Sequence, residues 1–338
     1  MQRGKTVVNI GLIGAGWMGA THAEAYAKIE GAHIRSVASL HVERARALAA
    51  PLGAQAVADP EAILADPAID LVDVTAPTAL HARYAIAALQ QGKHVLVEKP
   101  MALTLDEADA MIAAMHRSGK RLVVGHVLRF LPKFEALHEI LASGRLGPAR
   151  FASAMRLSCL PPWAGWFQNP QESGGAVLDL HIHDIDLLNW FFGVPTCVQA
   201  RGARDRTGGW NHVVTLLDYA GLSAAAETSW MLPQGAPFTA GLRVVCENGA
   251  LEYHFRASTP LPEAPSPFSF VCVYEPDRPA RLVTVEPGDM YERQLAYVVE
   301  CVRSGQEPAR LNVQDARLAL QVALAARTSL ESGAAVQL

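Results

Sequence analysis

One short run, residues 177–190, reads VLDLHIHDIDLLNW and places Asp179, His181, His183 and Asp186 among apolar neighbours. Carboxylates and imidazoles this close can ligate a metal or pass a proton. Which of these they do depends on conformation. On a strand, Asp179, His181 and His183 project from one face, the arrangement of a metal cup. On a helix, at about 100° per residue, Asp179, His183 and Asp186 line one stripe while His181 points roughly 200° away from Asp179. The strand favours metal-dependent chemistry, the helix proton transfer.

The elements that must position these residues belong to a chain of 338 residues, half of them apolar and 18% charged. That is a globular composition with room for about two domains. A formal charge of -4 without a long Lys/Arg block excludes the electrostatic footprint expected for nucleic acid or an anionic membrane. No apolar stretch is long enough to span a bilayer, so the expectation is a cytoplasmic protein with a small-molecule partner. The five cysteines are widely spaced and form no C-x-x-C pair, which argues against a disulfide framework or structural zinc; no bound metal is expected.

In the first part of the chain, short β-branched runs such as VVNIGLIG, IDLVDVTAP and HVLVEKP alternate with alanine-rich helical patterns. This alternation predicts parallel strands joined by crossover helices, a doubly wound Rossmann sheet over residues 1–125. Gly14-Ala-Gly16-Trp17-Met18-Gly19 follows the first strand and opens the first helix. In that setting Gly14 permits a tight turn, Gly16 lets a pyrophosphate approach the backbone, and Gly19 allows close helix packing. The second strand ends Val37-Ala-Ser39 without an acid, and Arg44 follows. Serine can donate to a 2′-phosphate and arginine can pair with it, so NADP(H) is the preferred cofactor, with NAD(H) possible.

Beyond Gly147-Pro148 the runs ARFASAMRLS, HVVTLLDYAG, LSAAAETSW and GLRVVCENGALEYHF read as strands, and Asn248-Gly249 as a hairpin signal. Residues 126–338 are expected to form an α+β domain with a large open, mostly antiparallel sheet. Closing helical patterns near Tyr291 and Val313 could pack back on the first domain.

The glycine fingerprint, Thr75-Ala-Pro77-Thr78-Ala-Leu-His81, Gly92-Lys-His-Val-Leu-Val-Glu98-Lys99-Pro100 and Ser173-Gly-Gly-Ala-Val-Leu-Asp179-Leu-His-Ile-His183 follow one another along the chain. This succession resembles the Gfo/Idh/MocA oxidoreductases, the family of glucose-fructose oxidoreductase and inositol dehydrogenase. Within it, Ser39 with Arg44, and Leu160-Pro-Pro162 with Gly165-Trp166, look most like the NADPH-dependent reductases of 1,5-anhydrofructose. The resemblance implies an active site between the domains and a sheet face that makes a homodimer or homotetramer. It implies catalytic roles for Lys99, Asp179 and His183, the last two on a helix. It also implies that Trp17 and Met18, Thr75, Pro77, Thr78 and His81, and Glu98 with Lys99 lie along the cofactor.

The chemistry needed is a hydride moved between nicotinamide and a secondary carbinol or ketone of a sugar, polyol or inositol-like substrate. His183 suits the acid/base, because imidazole titrates near neutrality. Lys99, at the end of a parallel strand, suits polarisation of the substrate oxygen. Asp179 could orient the imidazole or bind a hydroxyl. His126, Arg129, Trp163 and Trp166 are candidate substrate contacts, the indoles as platforms for sugar faces. Competing readings are a non-catalytic dinucleotide or sugar sensor, an NAD-dependent glycosidase acting through transient oxidation, and the metal-dependent enzyme of the strand reading.

Overall fold

An unbroken apolar run needs cover on both faces, and β1 (Val8–Ile13) has it: every residue but Asn9 is buried, between parallel neighbours. The structure is a computed structural model that describes residues 7–162, 165–257 and 268–338. The chain divides into two units, one holding residues 7–130 and 288–317, the other residues 131–287 and 318–338.

In the first unit β1 is joined by β2 (Ala32–Ala38), β3 (Gln55–Val57), β4 (Leu71–Val74), β5 (His94–Val97) and β6 (Leu122–Val124). All pair in parallel in the order β3-β2-β1-β4-β5-β6. This is the doubly wound Rossmann order, whose ligands bind beyond the carboxyl ends of the strands where the order reverses. The connecting helices are α1 (Trp17–Tyr26), α2 (Val42–Ala49), α3 (Glu61–Ala65), α4 (His81–Gln90) and α5 (Leu105–Ser118). Thr104 and Glu107 close a capping box at the start of α5, and Gly119 ends it in the left-handed region.

The second unit opens with α6 (Pro132–Ala142) and builds a nine-stranded sheet from β7 (Ala149–Leu157) through β14 (Arg281–Leu282) and β15 (Val336–Gln337). Its working strands are β8 (Cys197–Arg204), β9 (Trp210–Tyr219), β10 (Leu222–Ser229), β11 (Thr239–Cys246), β12 (Gly249–Arg256) and β13 (Phe268–Tyr274). The β7–β10 pair is parallel and all others are antiparallel, so the sheet is mixed but mostly antiparallel. The hairpin lies where Asn248-Gly249 signalled it, with Cys246 opposite Gly249. Burial alternates along β9 and β11, leaving Val214, Leu216 and Val245 exposed on the face opposite the buried Val213, Leu217 and Val244.

The short helices α7 (Pro170–Ser173), α8 (Ala176–Asp179) and α9 (Ile182–Phe192) follow β7, and α8 and α9 pack on the sheet. The run 177–190 is therefore helical, and the alternating strand geometry of a metal cup is not formed. Gly174 and Gly175 both take positive φ, ending α7 and launching α8 in a way that a Cβ would oppose: at Gly174 it would lie 2.5 Å from Leu178. The helix is not continuous, however. The amides of Leu180 and His181 both donate to Ala176 O, at 3.0 and 2.8 Å. The second is an i→i−5 bond, a wide turn, and two tighter i→i−3 bonds follow it, His183 N to Leu180 O and Asp184 N to His181 O. The chain then supplies α10 (Met290–Ser304) to the first unit, and α11 (Val313–Ser332) carries residues of both.

Candidate functional site

At the carboxyl ends of β1 and β4 the glycines are required by contact. A Cβ at Gly14, whose φ is 121°, would lie 2.6 Å from the Thr75 backbone; one at Gly19 would lie 2.0 Å from Gly14 O. Thr75 Oγ1 ties the two loops by donating to Gly14 O at 2.9 Å. Gly16 is different, because nothing lies within 4 Å of its would-be Cβ. It faces open space and is the N-cap of α1, with no side-chain cap and no acid in the first turn. A helix start without a side-chain cap or an acid suits an anionic pyrophosphate. Trp17 is 60% exposed there and Met18 half-buried.

At the end of β2, Ser39 Oγ accepts the His41 amide at 3.1 Å, which leaves its hydroxyl proton free to donate. Arg44 is exposed on the first turn of α2. Its neighbour Glu43 pairs instead with Arg46, at 2.5 Å, so the nearest acid is directed away along the helix.

Beyond β5, Glu98 is buried and Lys99 half-buried, and the Lys99–Pro100 peptide is cis. The Lys99 amide donates to Glu98 Oε2 at 3.2 Å. His81 is turned inward: Nδ1 lies 2.9 Å from Pro100 O and Nε2 2.9 Å from Ala76 O. Its ring therefore ties the loop 75–77 to the Glu98-Lys99-Pro100 turn, and both nitrogens are occupied by carbonyls. Burial lowers its pKa against the pull of those carbonyls. Pro77 is half-buried and Thr78 buried at the same loop.

Beneath Glu98 lies a group that the sequence reading did not single out. His22, on the buried face of α1, has Nδ1 2.8 Å from Asp73 Oδ2 and Nε2 3.2 Å from Glu98 Oε1. Burial opposes a charged ring here, but Asp73 and then Glu98 outweigh it and push His22 up to about 10. Glu98 is correspondingly lowered, against burial, chiefly by His22. The available signal was Asp73, a lone acid in the apolar β4 run LVDV.

His126 and Arg129 are both buried in the first unit. Arg129 Nη1 reaches Asp315 Oδ2 at 2.9 Å and Arg310 O at 3.1 Å, so its guanidinium joins internal elements of that unit. In the second unit, Asp179 ends α8 and is 7% exposed, while His183 lies half-buried in the first turn of α9. Asp186 is buried on the same helix. His181 is wholly buried between Thr228 Oγ1 and Thr215 Oγ1, each at 2.8 Å. Burial, with Arg156 adding to it, pushes its ring down to about 3. Arg156 itself forms a two-pronged pair with Asp184, at 2.8 and 3.1 Å. Trp166 stacks on Phe167 with centroids 4.0 Å apart, and Phe167 meets Trp230 edge-on. Trp163 lies outside the described residues. Among the described residues no cluster of three His, Cys, Asp or Glu is arranged to hold a metal, and no helix is long and apolar enough to cross a membrane.

Two family models match the chain: the Gfo/Idh/MocA oxidoreductase family, NAD-binding Rossmann fold, over residues 8–126, and the Gfo/Idh/MocA C-terminal domain over residues 134–252. The 1,5-anhydro-D-fructose reductase of Ensifer adhaerens is 34% identical over 53% of this chain and 55% of its own length. Longer matches are the D-xylose 1-dehydrogenase (NADP(+)) 2 of Haloferax volcanii, 30% identical over 90% of this chain and 91% of that protein, and the scyllo-inositol 2-dehydrogenase (NAD(+)) of Bacillus subtilis, 28% identical over 98% and 96%. Among solved structures, a probable dehydrogenase from Thermotoga maritima superposes with a TM-score of 0.82 at 26% identity, covering 98% of both chains.

Proposed function

The chain belongs to the Gfo/Idh/MocA oxidoreductase family, and from that premise we propose that it transfers a hydride between a nicotinamide cofactor and a secondary carbinol or ketone of a sugar, polyol or inositol-like substrate. The observation that carries the reading is the open, uncapped start of α1 at Gly16, on the helix whose His22 reaches Glu98, the neighbour of Lys99. Residues 1–125 would serve the cofactor and 126–338 the substrate and oligomerisation.

Gly14, Gly16, Trp17, Met18 and Gly19 would hold the pyrophosphate side, and Thr75, Pro77, Thr78 and Glu98 the nicotinamide side. His81 would act by fixing the turn rather than by touching the cofactor, since its ring is taken up by two carbonyls. The nicotinamide, when bound, supplies or accepts the hydride. Lys99 would polarise the substrate oxygen, His183 would give or take the hydroxyl proton, and Asp179 would bind a hydroxyl or orient the imidazole. His126, Trp163 and Trp166 remain candidates for the substrate side. Arg129 would support it from behind, given its pairing with Asp315.

NADP(H) is the proposed preference. Ser39 retains a donor and Arg44 an exposed cation, with no acid at the end of β2 to repel a 2′-phosphate. The apolar face of the nine-stranded sheet, with Phe151, Leu216 and Val245, is the proposed homodimer or homotetramer surface.

A nicotinamide-absorbance screen against pentoses, inositols and 1,5-anhydrofructose, in both directions and with both cofactors, tests the reading. On the substrate so found, Lys99→Ala and His183→Ala should each lower kcat by about 10²–10⁴-fold. Near-wild-type turnover in either variant would overturn that residue's role, and faster turnover with NADH than NADPH would overturn the cofactor preference.

A further inference from the structure

We propose that His22, braced by Asp73, is a positioning residue: it holds the Glu98 carboxylate, and through it the backbone of Lys99, in place on the nicotinamide side of the cofactor site. The inference rests on the hydride-transfer reading above.

The two oxygens of Glu98 are held by different parts of the chain. Oε1 lies 3.2 Å from His22 Nε2, and Oε2 accepts the Lys99 amide at 3.2 Å. A chain of contacts therefore runs from β4 through α1 to the residue proposed to polarise the substrate: Asp73, His22, Glu98, Lys99. Room for Oε1 depends on Gly125, where a Cβ would stand 2.8 Å from it. His22 and Asp73 are both fully buried and Glu98 is 6% exposed, so solvent cannot replace these partners. A buried carboxylate with only one partner would be free to rotate and would lose charge.

Every element packed around the ring contributes. Tyr26 stands edge-on from α1 itself at 6.4 Å, and Tyr291 from α10 at 6.1 Å. Asp73 comes from β4, and Glu98 from the turn after β5, where Lys99 adds its charge. Gln294 of α10 is fully buried beside Gly125. Of these only Asp73 and Glu98 place a carboxylate against an imidazole nitrogen, one on each side. An imidazolium hydrogen-bonds Asp73 through Nδ1 and pairs by charge with Glu98 across the 3.2 Å Nε2–Oε1 contact, whereas a neutral ring offers Glu98 no charge to pair with. The raised pKa of His22 agrees with the doubly protonated ring.

The test uses the full chain with His22→Gln, Glu98→Gln and the double variant. Binding of NADPH and of NADH is titrated, unfolding midpoints serve as the folding control, and ¹⁵N ring spectra are recorded on wild type. The expected result is a His22 ring protonated on both nitrogens at pH 8. Each single variant should weaken binding of the better nucleotide about tenfold, and the double variant no further, because the two residues act in series. Unchanged affinity in folded His22→Gln, or a double variant weakened by the product of the two single effects, would overturn the proposal. So would a neutral His22 ring at pH 7, a result that needs no variant to fold. If wild type bound neither nucleotide, the hydride-transfer reading itself would fall; a wild type that binds while His22→Gln binds equally well defeats only the positioning role.

Discussion

His22 in the first unit and His181 in the second are both wholly buried, and burial opposes the charged form of each ring. At His22 the carboxylates of Asp73 and Glu98 outweigh burial and push the ring up to about 10. At His181 the nitrogens meet only the hydroxyls of Thr215 and Thr228, so burial prevails, helped by Arg156, and the ring falls to about 3. Depth alone therefore decides nothing about charge. The partner at each nitrogen does.

The comparison can be broken most forcefully at Arg156. Arg156→Met leaves Asp184 buried without its two-pronged partner, and urea unfolding should record a loss of about 3–5 kcal/mol. In the folded remainder the buried Asp184 should take up a proton, and the His181 ring, freed of the Arg156 charge but still buried, should rise yet stay below the ordinary imidazole value.

A smaller effect is expected from His181→Leu, which strands two buried hydroxyls at about 1–3 kcal/mol each. Adding Thr215→Val and Thr228→Val should recover part of that loss in thermal unfolding, because an apolar trio leaves no stranded group. No recovery would mean that the ring supports α8 and α9 by shape rather than by hydrogen bonding.

The finest distinction is a change of slope rather than of midpoint. His22 is raised above the ordinary imidazole value of about 6.5, so its contribution is fully present below that pH and is lost as pH rises towards 10. His181 is depressed, so the unfolded chain binds the extra proton and stability is lost as pH falls from about 6.5 towards 3. Stability measured from pH 4 to 10 should therefore lose its alkaline decline in His22→Gln and soften its acid decline in His181→Gln. Identical profiles in both variants would abolish the distinction.

These two rings also show how far the sequence could be read. Apolar runs separated by helical patterns were enough to predict the parallel sheet of the first unit, because a strand buried on both faces is apolar along most of its length. The glycine fingerprint was legible for a similar reason: Gly14 and Gly19 leave no room for a Cβ, whatever the rest of the chain does. The His22, Asp73 and Glu98 cluster was not legible, since His22 and Asp73 lie 51 residues apart and only the sheet order lays α1 across the ends of β4 and β5. His81 and Arg129 illustrate the same gap. Their residue types suited ligand contacts, whereas folding turned one ring onto two carbonyls and one guanidinium onto Asp315.

In the run VLDLHIHDIDLLNW the sequence by itself determined which side chains were available and, through Gly174 and Gly175, where a helix could begin. Tertiary structure decided the rest. A polar pair of threonines on β9 and β10 draws His181 into the sheet, and the wide turn at Ala176 lets it reach them. Local spacing sets the directions in which side chains can point. Only packing supplies the partners that fix which of them carry charge, and that is why two histidines alike in sequence and in burial end on opposite sides of neutrality.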